Sequence, residues 1–185
     1  MYSNLDEILF DYDEAQPPAR KVDVSNAKPS VDLPVAVYEE SKDDLPWIPS
    51  GYMGDAGAIA MNPESTTQPH AGQTCMEVSF DTTHGWGGVV WQSPANDWGD
   101  QPGGVNLTGA SHLTFWVRGG QGGESISFSM GLIGEDKPYP DSGKAEKKDV
   151  VLTTEWQKID IPLAGQDLSC IKTGFAWVTA SHGQP

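Results

Sequence analysis

An all-β, two-sheet antiparallel β-sandwich is the fold the sequence predicts for residues 33–185. Nine runs of four to seven residues alternate apolar and polar at period two, and no stretch beyond residue 33 carries a helical period. Turn residues separate most of these runs, drawn from 21 Gly and 14 Pro in 185 residues. Many short strands without intervening helices pack as two layers around one core.

Residues 1–32 read as an N-terminal tail or linker. Leu5 to Phe10 is expected to form one or two amphipathic turns, ended by Gln16-Pro17-Pro18, and Ala19 to Leu33 is polar. The strands then follow in order: Val35–Tyr38, Ala58–Met61, Thr74–Phe80 and Gly88–Gln92. In the third of these, Met76, Val78 and Phe80 share the inward face and Cys75, Glu77 and Ser79 the outward one. His112–Arg118 turns Leu113, Phe115 and Val117 inward and Thr114, Trp116 and Arg118 outward. Ser125–Met130 turns Ile126, Phe128 and Met130 inward, with Ser127 and Ser129 outward. Asp149–Thr153, Trp156–Ile161 and Gly174–Thr179 complete the set; Trp156 and Trp177, beside branched residues, are expected in the core.

Composition narrows the function. Seven Trp, five Tyr and five Phe give the chain enough apolar surface to fold. The net charge of −15 repels nucleic acid and anionic membrane surfaces, and no apolar run is long enough for a membrane-spanning helix. Met1 to Phe10 has neither the basic stretch nor the apolar stretch of a secretory signal. Cys75 and Cys170 leave a single disulfide open, though two separate thiols, one packed as a small hydrophobe, is the preferred reading.

Signatures of catalysis are absent. There is no Gly-x-Ser-x-Gly elbow, no phosphate-cradling glycine loop, and no His-Glu-x-x-His among His70, His84, His112 and His182. Glu77, Glu124 and Asp160 could be combined into a glycosidase pair, but any acidic β-protein offers such combinations. The expectation is a non-enzymatic chain.

The aromatic residues carry more information. Sugar rings stack their C–H faces on flat aromatic side chains while placed polar groups bind the hydroxyls. If their strands are neighbours, Trp116 supplies a platform with Glu77, Arg118, Ser127 and Ser129 as hydrogen-bonding groups. Trp116 packed under a loop, with Arg118 paired structurally to Glu77, is the competing reading. Trp86 and Trp98, in glycine-rich loops between Asp81 and Ala110, are further platform candidates, with Trp47 and Tyr52 behind them. Trp91 shares a face with Val89 and stays open between core and platform.

Leu107-Thr108-Gly109-Ala110, Leu113 to Gly119, Gly123-Glu124, Leu152 to Gln157 and Gly174 to Trp177 form an ordered set. Together with Pro46 to Asp55 and Gly85 to Gln92, they resemble the galactose-binding-like jelly roll of non-catalytic carbohydrate-binding modules in bacterial secreted proteins. The resemblance covers residues 34–180. It implies binding of a polysaccharide or oligosaccharide, an extracellular or cell-surface setting, and a catalytic domain in the same parent chain. It also implies a structural calcium ion, for which Glu39, Glu40 and Asp43, with carbonyls of the Gly72 turn, are the candidate ligands; a solvated acidic loop is the alternative. Such jelly rolls close with a strand carrying a Leu-Asp-Asp-Ile-like motif, which is not found near residue 185, so a missing last strand or an open sheet edge is expected. A protein–protein or structural sandwich domain is the alternative function, and a glycan-active enzyme the third.

Overall fold

The computed structural model describes residues 2–11, 30–40, 43–81 and 83–180. Eleven strands occur among them: β1 (Tyr2–Asp11), β2 (Val35–Tyr38), β3 (Ile48–Gly54), β4 (Ile59–Ser65), β5 (Cys75–Phe80), β6 (Trp86–Gln92), β7 (His112–Gly119), β8 (Ser125–Met130), β9 (Ala145–Val151), β10 (Gln157–Pro162) and β11 (Thr173–Ala180). A single 3-10 turn, Ala56–Ala58, is the only helical element there. The strands form two antiparallel sheets, a six-stranded one in the order β10-β7-β1-β5-β4 with β2 also on β1, and a five-stranded one in the order β3-β6-β11-β8-β9. This is the predicted β-sandwich.

Period-two alternation builds the core. Met76, Val78, Leu113, Phe115 and Val117 from the first sheet meet Val89, Trp91, Ile126, Phe128, Phe175 and Trp177 from the second. Phe115, Phe128 and Phe175 form a ring cluster with centroids 4.7 to 6.0 Å apart. Trp47 fills the end of the sandwich beside Phe10 and donates its indole N–H to the Ile171 carbonyl at 3.1 Å.

Two expectations are overturned here. Residues 2–11 are not part of a tail: they form β1, inserted between β5 and β7 with Leu5, Ile8 and Phe10 in the core. Glu7 takes φ 48° and the register shifts between Asp6 and Leu9, so a bulge breaks the alternation that would have marked a strand. Residues 12–29 lie outside the described set.

Trp156 is not a core residue either. It precedes β10 at the sheet edge, half-buried, and donates its indole N–H to the Gln68 carbonyl at 3.0 Å. Trp177 is buried, as expected.

Candidate functional site

Strand register sorts the predicted site residues onto opposite sides of the sandwich. On the outer face of the six-stranded sheet, Asn4 of β1 lies between Glu77 of β5 and Arg118 of β7, with Asp6 beside Trp116. Glu77, Trp116 and Arg118 therefore share one face, as the alternation implied. That face is covered. The segment after β4 folds back over it, held by Asn4 Nδ2 on the Thr67 carbonyl at 3.1 Å, by the Asp6 carboxylate accepting from the His70 N–H at 3.2 Å, and by the Ser65 hydroxyl donating to Glu77 at 2.7 Å. His70 stacks on Trp116 at 3.9 Å between centroids, and Trp156 meets the same imidazole edge-on at 5.8 Å. Arg118 bonds the Gln68 side chain and stands over the Trp156 ring, so it does not pair with Glu77. Burial raises the Asp6 carboxyl above its ordinary value, against the lowering effect of the backbone N–H groups of Ala71, Glu7 and His70.

Ser127 and Ser129 lie on the other side of the molecule. Across the five-stranded sheet, Met53, Gly88, Val178 and Ser127 form one outward row, and Gly51, Val90, Ala176 and Ser129 the next. The same parity along β6 puts Trp86 outward and Trp91 inward. Trp91 is 1 % exposed and edge-on to Phe175 at 5.2 Å, so it is core and cannot be a platform. Trp86 is 45 % exposed.

Its neighbours fix Trp86 in place. The Asp55 carboxylate accepts from the Gly85 N–H at 2.9 Å and the Trp86 N–H at 3.4 Å, and the Trp86 carbonyl accepts from the Asp55 N–H at 2.8 Å. Gly54, at φ +63°, lies under the indole; a Cβ there would come within 2.8 Å of the ring. Only glycine lets the ring rest on the β3 backbone.

At the opposite end of β6 the loop that contains Trp98 is fastened to the sheet through Gln92. Gln92, 1 % exposed, donates its side-chain amide to the Asp97 carbonyl at 2.8 Å and accepts from Ser50, whose hydroxyl also receives the Asn96 N–H at 2.9 Å. Asp97 forms an ion pair with Lys172, both side chains 1 % exposed, and Lys172 also bonds the Gln101 carbonyl. The Asp97 carboxylate accepts from the Asp100 and Gln101 N–H groups as well, each at 3.0 Å. Burial would push this carboxyl up, but the bond from Lys172, the backbone donors and the Lys172 charge outweigh it and hold it below the ordinary carboxylate range. Asp141 accepts from the Lys172 N–H at 2.6 Å and the Ile133 N–H at 2.9 Å, joining the next loop to the same structure. Trp98 is half-buried. This ionic scaffold escaped the sequence reading because nothing local distinguishes a buried Lys in Cys170-Ile171-Lys172-Thr173 from an exposed one.

The remaining candidates disperse. Tyr52, 46 % exposed, sits at the sandwich edge with its hydroxyl on Met61 Sδ, and Trp47 is core. The Glu40 carboxylate accepts from the Gln73 N–H at 2.7 Å, pressed against the Gly72 turn. Glu39, Glu40 and Asp43 line one open cavity together with Glu64, although among the described residues no three His, Cys, Asp or Glu side chains are grouped closely enough to hold a metal ion. Glu77 and Asp160 are three strand spacings apart, about 14 Å, too far for a glycosidase pair, and Glu124 caps the Gln121 N–H in the turn before β8. Cys75 is buried and Cys170 half-buried, both free; burial raises both thiols above their ordinary value. No helix among the described residues is long and apolar enough to cross a membrane.

No curated protein and no solved structure is significantly similar to the chain. The family described as carbohydrate binding domain 30 matches residues 34–178, which take in every strand except β1 and the last two residues of β11. The chain belongs to the carbohydrate binding domain 30 family, and its sandwich is a non-catalytic carbohydrate-binding domain.

Proposed function

We propose that the outer face of the five-stranded sheet is the surface that takes the glycan, with Trp86 and Trp98 stacking on sugar rings and Ser127 and Ser129 bonding hydroxyls. One observation carries this reading: Trp86 is a pinned, 45 % exposed indole on a strand whose next outward residue is Gly88. The floor beside it, Gly88, Val178 and Ser127, is low, so a chain of sugars can approach the backbone. Trp86 and Gln92 are six residues apart on β6, about 20 Å, enough for several sugar units between the exposed indole and the Trp98 loop. Trp116, by contrast, already has a ring stacked on it.

The domain would serve an extracellular or surface protein by holding a linked catalytic domain near polysaccharide, individually weak contacts being multiplied by tethering. Indole N–H signals in a nitrogen–proton correlation spectrum test the site. Titration with soluble polysaccharide should shift the Trp86 and Trp98 signals and leave Trp116 and Trp156 in place. The opposite pattern would move the site to the six-stranded sheet.

A further inference from the structure

Strand β1 is held unlike any other strand of the sandwich. It is central, pairing along one edge with β7 from Ser3 to Asp11 and along the other with β5 and then β2. It is antiparallel to both β5 and β7, so those two run parallel to each other. Without β1 they would stand two strand spacings apart, about 10 Å, with unpaired backbone groups facing across the gap. β1 fills that slot antiparallel to both walls.

The slot also reads side chains. Leu5, Ile8 and Phe10 enter the core, all at most 2 % exposed, while Asn4 bonds Thr67 and Cys75 and Asp6 bonds His70 and Ala71. Yet β1 stands outside the matched span of residues 34–178 and is joined to it at length. Phe10 is paired directly with Val35, where a hairpin needs two to five connecting residues. The chain is tied down again at Ser30, whose N–H bonds the Asn106 carbonyl at 3.0 Å. Eighteen residues lie between Asp11 and Ser30, with a maximum reach of about 60 Å.

We propose that this slot is a strand-exchange site: Tyr2–Asp11 of one copy of the chain enters between β5 and β7 of a second copy, and the second returns its own, giving a reciprocal dimer. Every bond β1 makes within one chain is reproduced between two, so the exchanged and closed forms differ mainly in the entropy of association, and concentration selects between them. Because Asn4 and Asp6 anchor the segment carrying Gln68 and His70, an emptied slot also uncovers Trp116 and Trp156.

Complementation between two full-length chains tests this. Leu5→Asp with Ile8→Asp spoils the inserting strand and leaves the slot intact. Val117→Asp, on the β7 wall, spoils the receiving body and leaves β1 intact. Each is unfolded from denaturant and refolded alone and mixed, with the first chain nitrogen-15 labelled. The labelled chain should give a dispersed, native-type spectrum only in the mixture, at the mass of two chains, and wild-type chain refolded at millimolar concentration should give a dimer that reverts to monomer when refolded dilute. Absence of the native spectrum in the mixture overturns the proposal, whether or not the wild type dimerises, since a dimer without complementation is edge-to-edge association. A native spectrum from the doubly substituted chain alone overturns it too, because the slot then does not need its strand.

Discussion

His70 lies flat on Trp116, ring centroids 3.9 Å apart and planes 18° from parallel, so the outward face of the indole is already occupied. The His70 N–H is in turn fixed by Asp6 and its imidazole lies 3.1 Å from Glu7, both on β1. Trp116 thus belongs to the internal packing of a covered face.

Trp116→Ala should therefore cost stability and spare binding. The indole is half-buried, so the loss should be about 1–3 kcal/mol, below the 3–5 kcal/mol typical of a fully buried aromatic. Urea unfolding gives the first quantity and glycan retention in an affinity gel the second. Lost retention with unchanged stability would contradict the assignment.

The Asp97–Lys172 pair makes a stronger demand. Lys172→Met leaves a buried carboxylate without its cation and should destabilise by about 3–5 kcal/mol, while Asp97→Asn combined with Lys172→Met should recover part of that loss. A double-mutant cycle in urea measures the coupling. Additive losses would show that the pair does not act as a unit.

Acid should act through the same carboxyl. Its folded value is depressed, so the folded state binds fewer protons than the unfolded one; the stabilisation is complete above the unfolded value of about 3.9 and fades as pH falls through the folded value. The stability difference between the wild type and the doubly substituted Asp97→Asn, Lys172→Met chain should shrink as pH is lowered below about 4. A difference that stays constant there would remove Asp97 from the acid response.

A cavity of about 10 Å³ lies between the sheets, lined by Ser3, Trp177 and Thr179 among apolar side chains. Ser3 Oγ and Trp177 Nε1 are both buried without a hydrogen-bond partner among the described residues. That volume holds one water, and two polar groups suffice to keep it. A crystal structure at high resolution should show a single ordered water there, and an empty cavity would count against it.

The two-layer fold and the inward faces of β5, β7 and β8 were legible because they rest on local alternation, which the core of Met76, Val78, Phe115 and Phe128 reproduces. The site was less so. Alternation tells inward from outward, but outward on a sandwich means two opposite directions. Trp116 and Ser129 both point away from the core and never share a surface, because β7 and β8 fall in different sheets. Strand β3 was hidden by Pro49 and three nearby glycines, which an edge strand tolerates. The burial of Trp91 follows from Phe175, distant in sequence, and no local pattern contains that fact.

On the proposed reading the glycan meets the five-stranded sheet at Trp86. The decisive experiment is affinity electrophoresis of Trp86→Ala, beside wild type and Trp116→Ala, in whichever of a panel of soluble polysaccharides retards the wild type. Because Trp86 is 45 % exposed and opens no cavity when truncated, Trp86→Ala should keep a near wild-type Tm and bind at least about tenfold more weakly, ~1.4 kcal/mol. Trp86→Ala binding like wild type, with Trp116→Ala folded and no longer retarded, would contradict the claim and put the glycan on the six-stranded sheet.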